Sequence, residues 1–142
     1  MKKIPSHFTG KIKPVRESIT IYGKYNPYQL DSTFSHIFCN CGHNLFSIYL
    51  SEYPEVKCVC SACGQEHVMY DVSCYPAATG YEPDKGKFDK WISDTGKDIF
   101  QVIAVWLYTE YPEHQDDVDW FVLITIDPDT NEYTEIINYQ TG

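Results

Sequence analysis

The residues with the most chemistry to offer are six cysteines, at positions 39, 41, 58, 60, 63 and 74. Four of them fall into two tight groups, Cys39-Asn40-Cys41-Gly42 and Cys60-Ser61-Ala62-Cys63-Gly64, with eighteen residues between Cys41 and Cys60. Two close cysteine pairs separated by roughly 15–20 residues have the spacing of a four-thiolate zinc site. Each pair can present two sulfurs from one turn, and a hairpin-sized insert can bring the two turns together around a tetrahedral ion. The glycine after the second cysteine of each pair lets the backbone adopt positive φ and aim its amides at the sulfurs.

The segments Phe38-Cys39-Asn40-Cys41-Gly42-His43-Asn44-Leu45 and Val59-Cys60-Ser61-Ala62-Cys63-Gly64 resemble the two sulfur turns of the zinc-ribbon family. The resemblance covers residues 34–72, under a third of the chain. By position it implies Cys39 and Cys41 as the ligands of the first turn, and Cys60 and Cys63 as those of the second. The first turn is C-x-C-G, one residue shorter than the family's usual C-x-x-C-G, so Cys58 or His43 stands as a substitute for Cys39. The resemblance implies a fold and a metal, not a task.

Disulfides and iron compete with zinc for these sulfurs. Against disulfides, Met1-Lys2-Lys3-Ile4-Pro5-Ser6-His7 has the basic start of a secretory leader but no apolar segment after it, so a reducing, cytoplasmic setting is expected. A rubredoxin-like iron site uses similar turns, and the shortened first turn argues against it. Four thiolates leave a zinc ion no open position, so the expected role of one Zn2+ is structural. Cys58 and Cys74 read as buried or spare thiols. Among the histidines, His67 reads as a packing or hydrogen-bonding residue and His114 as part of a solvated loop tip.

The elements that must position these groups read as mainly β. The chain has 142 residues, 43% of them hydrophobic and 22 of them aromatic, enough for one cored domain. Residues 1–33 read as an irregular basic arm followed by a strand, Ser18-Ile19-Thr20-Ile21-Tyr22, that ends at Gly23. Residues 34–75 read as a zinc-ribbon-like hairpin module with short β runs. Residues 76–97 read as a connection, with one helical turn around Phe88–Ser93.

Residues 98–142 read as a three-stranded antiparallel meander. In its first strand Phe100, Val102, Ala104, Trp106 and Tyr108 alternate with Ile103, Val105 and Leu107, so both faces are apolar and the strand belongs in the middle of a sheet. The second run is Asp119–Ile126. A turn at Asp127-Pro128-Asp129-Thr130-Asn131, whose Asp and Asn can bond their own backbone, leads to the third at Glu132–Tyr139. No apolar run approaches the ~18 residues of a membrane span.

The charge of −9 is unevenly spread. Residues 1–24 carry +5, residues 25–97 carry −4, and residues 98–142 carry ten acids and no Lys or Arg. That excess disfavours docking on phosphate backbones and favours a basic partner. The densest cluster is the loop from Glu110 to Asp119. Its expected contact residues are Glu110, Tyr111, Glu113, Asp116, Asp117 and Asp119, with Trp120 beside them. The plainer reading is a solvated hairpin tip.

No H-E-x-x-H, P-loop, G-x-S-x-G or dinucleotide fingerprint occurs. The expected function is therefore non-enzymatic. The protein would bind and mask a basic protein partner, as inhibitors and immunity-type proteins neutralise toxins, nucleases among them. The alternative is a zinc-ribbon accessory module of nucleic-acid machinery, acting through the basic arm Lys2–Lys24.

Overall fold

A computed structural model describes residues 8–14, 34–51, 55–70, 88–108 and 118–140. All the regular structure among them is strand, in two antiparallel sheets. The strands are β1 (Lys11–Pro14), β2 (Ser35–Phe38), β3 (Phe46–Ser51), β4 (Val56–Cys60), β5 (Glu66–Tyr70), β6 (Phe88–Lys90), β7 (Gln101–Tyr108), β8 (Val118–Ile126) and β9 (Tyr133–Gln140). One sheet has the order β1-β2-β7-β8-β9 and the other β5-β4-β3-β6. No helix among the described residues is long and apolar enough to cross a membrane.

The double-faced pattern of β7 has the expected result. Phe100, Val102, Ala104 and Trp106 face a core shared with the four-stranded sheet, while Ile103 and Val105 face a second apolar cluster on the opposite side. β8 repeats the pattern, with Phe121 and Leu123 in the shared core and Val122, Ile124 and Ile126 in the second cluster. The four-stranded sheet contributes Phe46, Ile48, Val56, Cys58, Met69 and Tyr70 to the shared core. A bulge between Val56 and Lys57 shifts the β4–β5 register, and both Met69 and Tyr70 are buried beyond it. The Tyr70 ring stacks on Phe121 at 5.1 Å. A backbone bridge between Phe46 and Phe100, with hydrogen bonds of 2.8 and 2.9 Å, joins the two sheets at one corner.

The C-terminal meander is present as β7, β8 and β9, within a larger five-stranded sheet. Its second turn works as the sequence indicates. Asp127 Oδ1 accepts the Asp129 amide at 2.8 Å, and Asn131 takes φ of 62°.

Three expectations change. Residues 11–14 are not an irregular arm but β1, paired along β2 with Ile12 opposite Ile37. Phe88–Lys90 is not a helical turn but β6, because the edge of β3 offers it backbone partners from Tyr49 to Ser51. The 34–75 segment is divided between the sheets: β2 pairs with β1 and β7, while β3, β4 and β5 build the other sheet. The expected strand at 18–22, Cys74, and the loop residues Glu110, Tyr111, Glu113, Asp116 and Asp117 lie outside the described residues.

Candidate metal centre

The two cysteine turns leave from different sheets. β2 ends at Phe38 and delivers Cys39 into the first turn, and β4 ends on Cys60, with Cys63 closing the second turn before β5. In the second turn the Gly64 amide donates to the Cys60 carbonyl at 2.9 Å, a four-residue reach. In the first turn the Gly42 amide donates to the Cys39 carbonyl at 2.9 Å, a three-residue reach. The missing residue of C-x-C-G is thus absorbed by a tighter turn, and both cysteines of the pair still face the centre.

Gly42 and Gly64 adopt φ of 93° and 78°, and a Cβ built on either would meet nothing within 4 Å. Glycine is required there for its backbone freedom rather than for space. The Ser61 amide donates to the Leu45 carbonyl at 3.0 Å, holding the second turn against the approach to β3.

These turns bring Cys39, Cys41, Cys60 and Cys63 together, with all four sulfurs within 4.8 Å of one another. Cys39 Sγ lies 3.5 Å from Cys63 Sγ, and Cys41 Sγ lies 3.6 Å from Cys60 Sγ. A tetrahedral ion with metal–sulfur bonds of about 2.3 Å spaces its sulfurs about 3.8 Å apart. The four residues can therefore hold a metal ion.

One cysteine of each turn is buried, Cys39 and Cys60, and one is exposed, Cys41 and Cys63. Burial pushes the Cys39 thiol up to about 12, and its sulfur partners push the same way. Burial also opposes ionisation of Cys60. There the amides of Cys63 and Ala62 and the thiols of Cys41 and Cys63 outweigh it, bringing the thiol down to about 7. The site thus favours negative charge at one buried corner before any cation enters.

The substitute ligands stay out of this cluster. Cys58 sits in β4 two residues before Cys60 but lies fully buried in the apolar core, where desolvation pushes its thiol strongly up. His43 serves the first turn through its backbone, its carbonyl accepting the Cys39 amide at 2.8 Å.

The spacing argument missed the residues around the cluster. Cys39 Sγ donates to Gln65 Oε1 at 3.4 Å. Asn40, between Cys39 and Cys41, donates its side-chain amide to the Thr9 carbonyl. Thr9 Oγ1 and His67 Nδ1 share a hydrogen bond of 2.9 Å. His67 is fully buried against Phe46 and Phe8, consistent with the packing role read from the sequence, and its Nε2 has no hydrogen-bond partner among the described residues. Only the polar residue between two close cysteines hinted at any of this.

Of the expected partner-facing residues, Asp119 and Trp120 fall in β8, with Trp120 opposite Gln140 in the β8–β9 register. None of the protein-family models, curated proteins or solved structures compared with the chain matches it.

Proposed function

We propose that the cysteine cluster holds one zinc ion in a structural role. An all-sulfur donor set with its four sulfurs within 4.8 Å of one another suits zinc, and four thiolates would fill its coordination sphere. In this reading the two turns act as zinc-ribbon-like knuckles that tie the end of β2 to the β4–β5 turn, fastening one sheet to the other.

We further infer that the protein is a non-enzymatic, cytoplasmic binder that masks a basic protein partner, of inhibitor or immunity type, with a toxin such as a nuclease as the natural target. The observation that supports this reading is the charge of residues 98–142, ten acids without one Lys or Arg. Among the described residues this charge gathers at the β8–β9 turn, where Asp127, Asp129 and Glu132 stand together and Lys97 is the cation paired with both aspartates. Beside the turn a cleft of about 180 Å3 is lined by Trp91, Phe100 and Thr125 with the carboxylates of Asp94, Asp127 and Glu132. An aromatic wall under a carboxylate rim suits Lys and Arg side chains. Steering by the field would bring the partner in, and Tyr111 and Trp120 would anchor it.

The experiment is a charge swap. Replacing Glu113, Asp116 and Asp117 by Lys should slow association with the basic partner by about tenfold or more and weaken its salt dependence. Unchanged association at low salt would remove the docking role of the loop. Steeply salt-dependent nucleic-acid binding that is lost on deleting residues 2–24 would favour the accessory-module reading instead.

A further inference from the structure

The first cysteine turn is gripped from outside the cluster by the amino-terminal segment. Thr9 is held from two sides. Its carbonyl accepts the Asn40 side-chain amide, and its hydroxyl bonds His67, the second residue of β5. Asn40 lies between Cys39 and Cys41, and β5 is the strand that leaves the Cys60–Cys63 turn. A single residue therefore touches both halves of the frame that the four sulfurs would tie together.

The neighbours of Thr9 deepen the grip. The Phe8 ring lies 5.9 Å from His67 and 5.5 Å from Trp106. Gly10 approaches β2 so closely that a Cβ would stand 2.7 Å from both the Phe38 carbonyl oxygen and the Phe8 ring. From there the chain runs straight into β1, which pairs Lys11 with Phe38 and Lys13 with His36. β1 is four residues long, lies at the edge of its sheet, and has Lys11 and Lys13 exposed. An edge strand this short depends on its anchors.

We propose that this clasp couples metal occupancy to the docking of β1, so that emptying the cysteine cluster releases the basic amino-terminal strand from the sheet. The proposal rests on the metal-binding reading of the cluster. The bound ion fixes the backbone of the Cys39–Cys41 turn, and that backbone aims the Asn40 carboxamide at Thr9. Without the ion the turn keeps only its own backbone hydrogen bonds, Asn40 is aimed at Thr9 less strictly, and β1 relies on its four backbone pairings and the Thr9–His67 and Phe8 contacts. Coupling of this kind is reciprocal: whatever docking adds to metal affinity, the metal adds to docking. The device would turn loss of the metal into release of the segment that carries Lys11 and Lys13, and into exposure of the β2 edge.

The test is hydrogen exchange on the full, reduced chain, zinc-loaded and chelator-stripped, after metal analysis has established one equivalent of bound zinc. The expected result is at least about tenfold faster exchange at Lys11–Lys13 on stripping, with the amides of Phe121–Ile126 unchanged. Asn40→Ala, measured zinc-loaded so that the fold is kept, should speed exchange at β1 and weaken zinc binding by the same several-fold factor. Zinc bound at one equivalent with β1 exchange indifferent both to stripping and to Asn40→Ala would overturn the coupling and leave the metal site standing. Absence of bound zinc would overturn the metal reading itself, and the coupling with it.

Discussion

The indole Nε1 of Trp106, in β7, donates to the backbone carbonyl of Met69, in β5, at 2.7 Å. This bond crosses from one sheet to the other inside the shared core, with Trp106 only 5% exposed. Trp106→Phe keeps an aromatic ring and strands the carbonyl. The unfolding free energy should fall by about 1–3 kcal/mol, read from a urea titration with an unchanged slope. A loss below about 0.5 kcal/mol would mean that the carbonyl finds another donor.

The cysteines should divide by function along the boundary that the geometry draws. Cys63→Ser removes one of the four clustered sulfurs, and on the metal-binding reading metal affinity should fall by more than the ~10–100-fold typical of losing a mere supporting contact. Cys58→Ser places a hydroxyl in an apolar site and should cost about 1–3 kcal/mol of stability with the metal stoichiometry unchanged. Metal analysis paired with denaturation of both variants separates ligand from core thiol.

Two glycines near the centre should respond differently to substitution. Gly42 needs positive φ and has open space around it, so Gly42→Ala should cost about 1–2 kcal/mol and Gly42→Asn less, because Asn tolerates that region. Gly10 is constrained by the Phe38 carbonyl oxygen, so Gly10→Asn should be no milder than Gly10→Ala. Thermal denaturation of the four variants checks the contrast.

Burial holds the His67 pKa below its ordinary 6.5. The unfolded chain then takes up a proton at a pH where the folded chain does not, so stability falls as pH drops below 6.5 and levels off once the folded ring is also charged. The zinc-loaded His67→Phe variant should lose stability less steeply over that window, by up to about one proton. Parallel slopes in denaturant titrations from pH 7 to 5 would show that the ring titrates normally.

What could be read from the sequence was what is local. The two cysteine–glycine turns, the double-faced alternation of β7 and the Asp127–Asn131 turn each depend on residues a few positions apart, and each has its expected geometry. β1 and β6 escaped notice because three or four residues become strand only when a neighbouring edge supplies their hydrogen bonds. The split of the cysteine pairs between two sheets was hidden for the same reason, since β7, which ties β2 to the rest of its sheet, is more than sixty residues away. The Thr9–His67 bond spans 58 positions and leaves no periodic trace.

The central strands of the acidic half have no free face. Val102 to Trp106 and Phe121 to Ile126 are buried on both sides of their sheet. A basic partner of the kind proposed would therefore not touch the side chains of these strands. It would meet what surrounds them, such as the β8–β9 turn with Asp127, Asp129 and Glu132. On that reading the turns carry recognition and the strands carry stability, so a turn such as Asp127–Asn131 could be exchanged while the scaffold beneath it stays the same.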